Sequence, residues 1–380
     1  MKLVFVNDGV YAYATGSPSA VGGAERQQWL LARALAARGW SVTVGVRTLM
    51  NAKERRTIDD VNFVGIGQGQ ILFAWSRFLA AEHPNWWYWR CADHLLGPAV
   101  ELAKLRGVQT IFAAGFDRDV QPRRALSRRP RWWPLYAWGL ARTDRILVQH
   151  RGQMAQLTPR WRAKARILPS IVGEMESVTS HAERAQYVAW VAMLRQAKRP
   201  DLLIEVARKT PSLYFIVCGG PTTFMSPPGY SERIIEALRT LPNIEYRGQV
   251  APKEARQVIA NAAVLLSTSD EEGFPNTFLQ AWSSGTPVVS LSVDPNDVIK
   301  QEGLGAVSES IESVEADLGT LMASWQQRDE IAARARRYVT TTHSEAGVVP
   351  AFEQFILGTA HKEIKREGSS ENAPARLTGG

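Results

Sequence analysis

The chain has little cysteine: two in 380 residues. Cys91 and Cys218 lie far apart and outside any CxxC spacing, so neither a disulfide framework nor a zinc pattern is indicated, and both read as buried, inert thiols. No apolar run reaches the ~18 residues a membrane-spanning helix needs. The apolar start Met1–Val6 turns polar at Asn7-Asp8 before a signal-peptide core can form, which points to the cytoplasm. GxGxxG is missing from the first strand-to-helix turn, and the second predicted strand runs into Arg47 instead of an acid, which argues against a dinucleotide oxidoreductase. Helix-turn-helix, zinc-finger and RNP-type patterns are also missing, so the basic excess does not read as a nucleic-acid footprint. No repeat of solenoid length is visible.

What remains is an ordinary globular composition, 45% hydrophobic and 22% charged. The length exceeds one typical core, and at about 150 residues per domain it suggests two. The formal charge of +8 is uneven. Arg118, Arg123, Arg124, Arg128, Arg129 and Arg131 crowd together with only Asp117 and Asp119 beside them, and run into Trp132-Trp133-Pro134-Leu135-Tyr136-Ala137-Trp138. Arginine beside interfacial aromatics suits an anionic membrane surface or a lipid-linked substrate; a solvated basic helix next to a core helix is the alternative. A second Trp- and Arg-rich segment, Trp86-Trp87-Tyr88-Trp89-Arg90, is read with this patch.

Short apolar runs alternate with helix-length segments, which is the pattern of buried parallel strands in an α/β fold. The runs are Leu3–Val6, Ser41–Val46, Phe63–Ile66, Thr110–Ala114, Ile146–Gln149 and Ile167–Pro169. Between the first two, Glu25–Arg38 has helical spacing and Gly39 follows as a cap. The pattern restarts with Val188–Leu194 and continues through Leu213–Val217, Ile244–Tyr246, Ala263–Ser267 and Val288–Leu291. Two doubly wound sheets follow, an N-terminal domain over 1–175 and a C-terminal domain over 185–345, with a hinge in Val172–Arg184. A last helix, 347–360, is expected to rejoin the first domain, and the polar tail 361–380 reads as disordered.

Three segments can carry chemistry. Gly22-Gly23-Ala24-Glu25-Arg26 precedes a helix; adjacent glycines admit a ligand and the helix start favours phosphate, although a plain tight turn has the same pattern. In Leu194-Arg195-Gln196-Ala197-Lys198-Arg199 a strand delivers three cations to a carboxyl-end loop, where they suit a diphosphate leaving group or serve as surface charge. The third runs from Asp270 to Trp282. There Glu272 enters from the loop, Gly273, Phe274, Pro275 and Asn276 shape a turn, and Gln280 lies in the helix; a carboxylate accepts from sugar hydroxyls, whereas a plain helix-start role is the alternative.

Together these segments resemble the retaining GT-B glycosyltransferases of family 4, also called glycosyl transferases group 1. The likeness runs in order over most of residues 1–345, on GGAERQ at Gly22–Gln27, LRQAKRPDLLIE around Lys198, Gly248-Gln249-Val250, and EEGFPNTFLQAWSSGTPVV from Glu271. It implies two Rossmann-like domains facing a central cleft. It also implies that Gly22 and Gly23 approach the donor diphosphate, that Lys198 binds the same diphosphate from the opposite domain, and that Glu272 holds the transferred sugar with the amides of Gly273–Asn276 nearby. Gly248–Val250 would lie against the base. The resemblance implies a UDP- or GDP-sugar as donor, retained configuration, no metal and no cofactor.

Three departures from the family pattern stand out. Its second glutamate is Gln280 here; an arginine five residues before Lys198 is Met193, which removes one phosphate cation unless Arg195 reaches in; and its histidine after the Thr110–Ala114 strand is missing, where Asp117 or Asp119 could take its place near the acceptor or Asp117 could simply pair with an arginine. His150, after a predicted strand, reads either as a cleft residue or as a structural one. A sugar-nucleotide 2-epimerase of the same fold and a non-catalytic nucleotide-sugar-binding protein are the rival readings. Among transferase acceptors, a lipid-linked or polysaccharide one is expected, on the cytoplasmic face of the membrane.

Overall fold

The computed structural model describes residues 1–17, 22–173, 175, 179–223 and 226–358. The expected tail at 361–380 and parts of the expected hinge lie outside the described residues.

An eight-stranded sheet forms the first domain. Its strands are β1 (Lys2–Val6), β2 (Ser41–Val46), β3 (Arg55–Ile58), β4 (Val61–Gly65), β5 (Trp86–Arg90), β6 (Gln109–Ala113), β7 (Arg145–Val148) and β8 (Ala165–Ile167), in the order β3-β4-β2-β1-β5-β6-β7-β8. All pairs are parallel except the hairpin of β3 with β4. The second sheet holds β9 (Val188–Val191), β10 (Phe215–Cys218), β11 (Ile244–Gly248), β12 (Val264–Ser267), β13 (Val288–Ser290) and β14 (Gly305–Val307), ordered β11-β10-β9-β12-β13-β14 and parallel throughout. Helices cover both faces of each sheet, so the strands read as unbroken apolar runs.

The segment Trp86–Arg90 corrects the sequence reading. It is an interior strand between β1 and β6, and Trp86 and Trp87 are each 2% exposed. Trp87 packs edge-on against Trp75 at 5.3 Å. Large aromatics fit a pleated strand buried on both faces as well as they fit an interface. The Arg118–Trp138 segment is mixed instead: Val120 and Tyr136 are buried, while Trp132 and Trp138 are 41% and 43% exposed. Arg123 sits over the ring of Trp133 at 4.8 Å. β3 and β14 escaped the sequence reading because one is a polar edge strand and the other only Gly-Ala-Val.

The chain crosses between domains twice. Val172 donates its amide to the carbonyl of His343 at 2.9 Å, which ties the two crossings together. Ser344 then caps the helix Glu345–Leu357. Val348, Val349, Phe352 and Ile356 of that helix join the first domain's core beside Leu31, Trp40 and Val42. Four such side chains, at about 1.5–3 kcal/mol each, are enough to hold the helix there.

Strand order fixes where ligands go. In each sheet the order reverses beside a central strand, between β1 and β5 in the first and between β9 and β12 in the second. Open parallel sheets bind ligands outside the carboxyl ends at such reversals. The loops after β9 and β12 carry Lys198 and Glu272.

Candidate active site

The two loops of the second domain are laced together. Thr268, just past β12, accepts from the Trp190 indole at 3.0 Å and donates to the Lys198 carbonyl at 2.8 Å, while the Asp270 amide donates to Ala197 at 3.1 Å. Arg199 takes a left-handed conformation, φ 49°, held by Asp201 and Asp270. This framework brings the Lys198 ammonium onto the Glu272 carboxylate in an ion pair at the cleft. Burial pulls the Lys198 pKa down, Glu272 pulls it back up, and Arg195 pushes it down again.

Arg195 belongs to the same cluster. Its guanidinium lies 5.3 Å from the centre of the Phe116 ring in the first domain. Burial lowers its pKa, against the attraction of Glu272. Its Nε is buried and has no hydrogen-bond partner among the described residues. Arg195, two residues after Met193, thus brings a guanidinium close to the Lys198–Glu272 pair.

The Glu272 loop also faces the first domain. Gly273 is required there: a Cβ at that position would stand 2.5 Å from the Gly115 carbonyl oxygen. Gln149, at the end of β7, accepts from the Phe274 amide at 3.3 Å and donates to Ser170 at 2.9 Å. Asn276 donates to the Gly23 carbonyl at 3.2 Å and accepts from Gln27 at 2.7 Å and Arg26 at 3.2 Å. Arg26 and Gln27 reach on to the carbonyls of Val172 and Ile171. The glycine turn, the crossing segment and the Glu272 loop thus meet in one place.

Several expected contributors take other positions. Phe274 is 4% exposed, its ring 4.8 Å from His343 and 6.2 Å from Trp282, so it anchors the loop from behind. The expected run of amides from Gly273 to Asn276 is interrupted, because Pro275 has no N–H and the Phe274 N–H is taken by Gln149. The Gly22-Gly23 turn is covered by Glu25, whose carboxylate occupies the space a Gly22 Cβ would enter; a first-turn acid is drawn to the positive end of its own helix. Gly22 caps that helix, Gly23–Ala37, with no side chain.

Gly248 sits on a register shift between β10 and β11 with φ 70°, and its carbonyl accepts from the Gly219 amide at 2.8 Å. Val250 is half-buried against the second domain's core. Gln280, in the helix Asn276–Ser284, is half-buried, with its carbonyl accepting from Ser283 and Ser284.

On the first domain's side the two aspartates separate. Asp119 is 3% exposed and caps its own turn, accepting from the Gly115 and Phe116 amides at 2.8 and 3.0 Å, which removes it as an acceptor-side candidate. Asp117 is a third exposed, and its Oδ1 accepts from His150 at 2.7 Å and from Gln153 at 3.1 Å. Sequence reasoning missed Gln149, Gln153 and Asn296, whose side chain accepts from the Arg151 amide at 2.9 Å; polar residues at strand and helix ends carry no signal of their own.

No helix among the described residues is long and apolar enough to cross a membrane.

Residues 185–324 match the family model described as glycosyl transferases group 1. The chain is 25% identical over 253 residues to D-inositol 3-phosphate glycosyltransferase of Mycolicibacterium gilvum, and 24% identical over 156 residues to glycosyltransferase 1 domain-containing protein 1 of Xenopus tropicalis. These matches cover 60% and 40% of this chain and 55% and 44% of the relatives, so the chain spans about half the length of the curated relatives it matches. Among solved structures, sucrose-phosphate synthase from Thermosynechococcus elongatus superposes with a TM-score of 0.75 at 16% identity, covering 94% of this chain and 99% of that one. Alr3699/HepE of Anabaena, in complex with UDP-glucose, gives a TM-score of 0.72 at 13% identity, covering 94% and 100%. At such identities the likeness shows the fold: GT-B, two parallel-sheet domains about a cleft.

Proposed function

We propose that this chain, whose residues 185–324 form a glycosyl transferases group 1 domain on a GT-B fold, moves a sugar from a nucleoside-diphosphate sugar to an acceptor hydroxyl with retained configuration. The observation that carries this reading is the Lys198–Glu272 pair at the strand-order reversal of the second sheet, directly across from the first domain's Gly23, Gln149 and Phe116.

Without donor, Lys198 and Glu272 neutralise each other. With donor, the diphosphate takes Lys198 and Arg195, and Glu272 is released to accept hydrogen bonds from the sugar hydroxyls. As the bond from the anomeric carbon to the phosphate oxygen breaks, negative charge grows on the diphosphate, and the two cations stabilise it. The acceptor oxygen forms its bond to the anomeric carbon on the face the diphosphate leaves, and its proton passes to the released phosphate. The remaining work is positioning and exclusion of water by the closed lobes. Positive charge at the diphosphate comes from these side chains, so no resident metal is required.

The domain 185–345 holds the donor, and 1–175 with the helix in 347–360 holds the acceptor. The exposed Trp132 and Trp138 among arginines support peripheral contact with an anionic cytoplasmic membrane face and a lipid-linked or polysaccharide acceptor. Among the similar structures is WaaG, a glycosyltransferase involved in lipopolysaccharide biosynthesis, which is consistent with such an acceptor. The nucleoside is uridine or guanosine; the UDP-glucose complex of a structural neighbour favours UDP. Incubation with UDP- and GDP-sugars and a membrane lipid extract tests the reading: a glycosylated lipid supports it, and a new free nucleotide sugar marks an epimerase instead.

A further inference from the structure

Asp117 is held in a way that a solvent-facing carboxylate does not require. His150 is 5% exposed and Gln153 is fully buried, and both direct a donor at the same oxygen, Oδ1. Gln153 is itself fixed from the other end, because its Oε1 accepts the Gln149 amide at 2.8 Å. The Gln149 side chain in turn accepts from Phe274, two residues from Glu272. Next to Asp117, the Phe116 ring has two guanidiniums near it, Arg118 at 5.4 Å and Arg195 at 5.3 Å. The carboxylate is thereby tied to the Lys198–Glu272 cluster on one side by the Phe116–Arg195 contact and on the other by the Gln153–Gln149–Phe274 chain. Oδ2 makes no hydrogen bond among the described residues.

We infer that His150 and Gln153 are positioning residues that hold the Asp117 carboxylate, with Oδ2 free, to accept the hydrogen bond of the incoming acceptor hydroxyl. The inference rests on the transferase reading above and deepens it on the acceptor side. Two buried donors on one oxygen fix the carboxylate plane. His150 Nε2 must carry the proton, since a carboxylate only accepts. The acceptor class that fits is an uncharged hydroxyl, because Asp117 would repel an anion at the point of attack. Asp117 orients the hydroxyl, and the departing diphosphate still receives its proton.

The test uses the full chain, the nucleotide sugar that most raises its melting temperature, and glycerol as surrogate acceptor, with the ratio of glyceryl glycoside to free sugar as readout. Water and glycerol compete for the same intermediate, so a fold defect or a weakened donor site changes total turnover and not this ratio. Asp117→Asn and His150→Leu are expected to lower the ratio about tenfold, consistent with losing one oriented hydrogen bond to a charged group. His150→Gln, which keeps a donor, is expected to stay within about threefold of wild type, by the same reckoning. The donor-induced rise in melting temperature should be the same in all four proteins. An unchanged ratio in His150→Leu, or a His150→Gln as impaired as His150→Leu, overturns the inference while leaving the transferase reading in place. A wild type that is stabilised by no nucleotide sugar, or consumes none in glycerol, overturns that reading and this inference with it.

Discussion

The amide of Asn276 donates to the Gly23 carbonyl, 253 positions away in sequence and in the opposite domain, at 3.2 Å. Its oxygen accepts from Gln27 and Arg26, so one side chain makes three bonds across the cleft. The lobes are therefore held together where the glycine turn meets the Glu272 loop.

Replacing Asn276 by alanine removes those three bonds. At about 0.5–1.5 kcal/mol each, the closed arrangement loses roughly 2–4 kcal/mol relative to an open one. Small-angle scattering should show a larger radius of gyration for Asn276→Ala, and the donor KM should rise. An unchanged radius and KM would mean that Asn276 is not a closure contact.

Gly273→Ala acts by a different route. The added methyl would stand 2.5 Å from the Gly115 carbonyl oxygen, a backbone atom that cannot step aside cheaply. The lobes must then part, so transfer should fall at least tenfold while each domain keeps its fold by circular dichroism; a loss of that order corresponds to about 1.4 kcal/mol of mispositioning. Full activity would show that the approach of the two loops is dispensable.

Chelation separates side-chain from metal neutralisation of the diphosphate. If Lys198 and Arg195 supply the charge, saturating EDTA should leave the rate of sugar transfer unchanged. A loss restored by added divalent cation would contradict that proposal.

Two buried histidines make stability pH-dependent. His181 and His343 are 0% and 1% exposed, and burial pulls each pKa from 6.5 down to about 4. His343 is a crossing residue, bonded to the Ser170 carbonyl at 2.7 Å. The unfolded chain binds these protons below pH 6.5 and the folded chain only below about 4. Stability contributed by the neutral rings is therefore complete above pH 6.5 and falls as pH drops towards 4, by as much as about 3 kcal/mol per ring. Denaturant midpoints measured from pH 7 to pH 5 should fall, and His343→Gln should flatten the decline. Parallel slopes would show that His343 does not contribute.

The fold was readable because parallel strands announce themselves as short apolar runs between amphipathic helices, and the Glu271–Val289 segment is specific enough to suggest a resemblance to one family. Trp86–Arg90 was misread because sequence shows how much aromatic surface a segment has and not whether another layer covers it. The cleft was legible only in part. Lys198 and Glu272 stood out as charged residues in loops after strands, and the structure brings them together. That Glu25 covers the glycine turn, that Phe274 faces the core, and that Gln149, Gln153 and His150 form a chain behind Asp117 depend on how two domains meet, and no local pattern encodes that meeting.

Everything proposed for this chain requires that a nucleotide sugar bind between the lobes through Lys198. The decisive measurement is the melting temperature of wild type and Lys198→Ala across a panel of UDP- and GDP-sugars, since a ligand that binds only the folded state at about 100 times its Kd adds about 2.7 kcal/mol of stability. One donor should stabilise wild type, and its effect should largely disappear in Lys198→Ala. Equal stabilisation of both proteins by that donor would contradict the role given to Lys198.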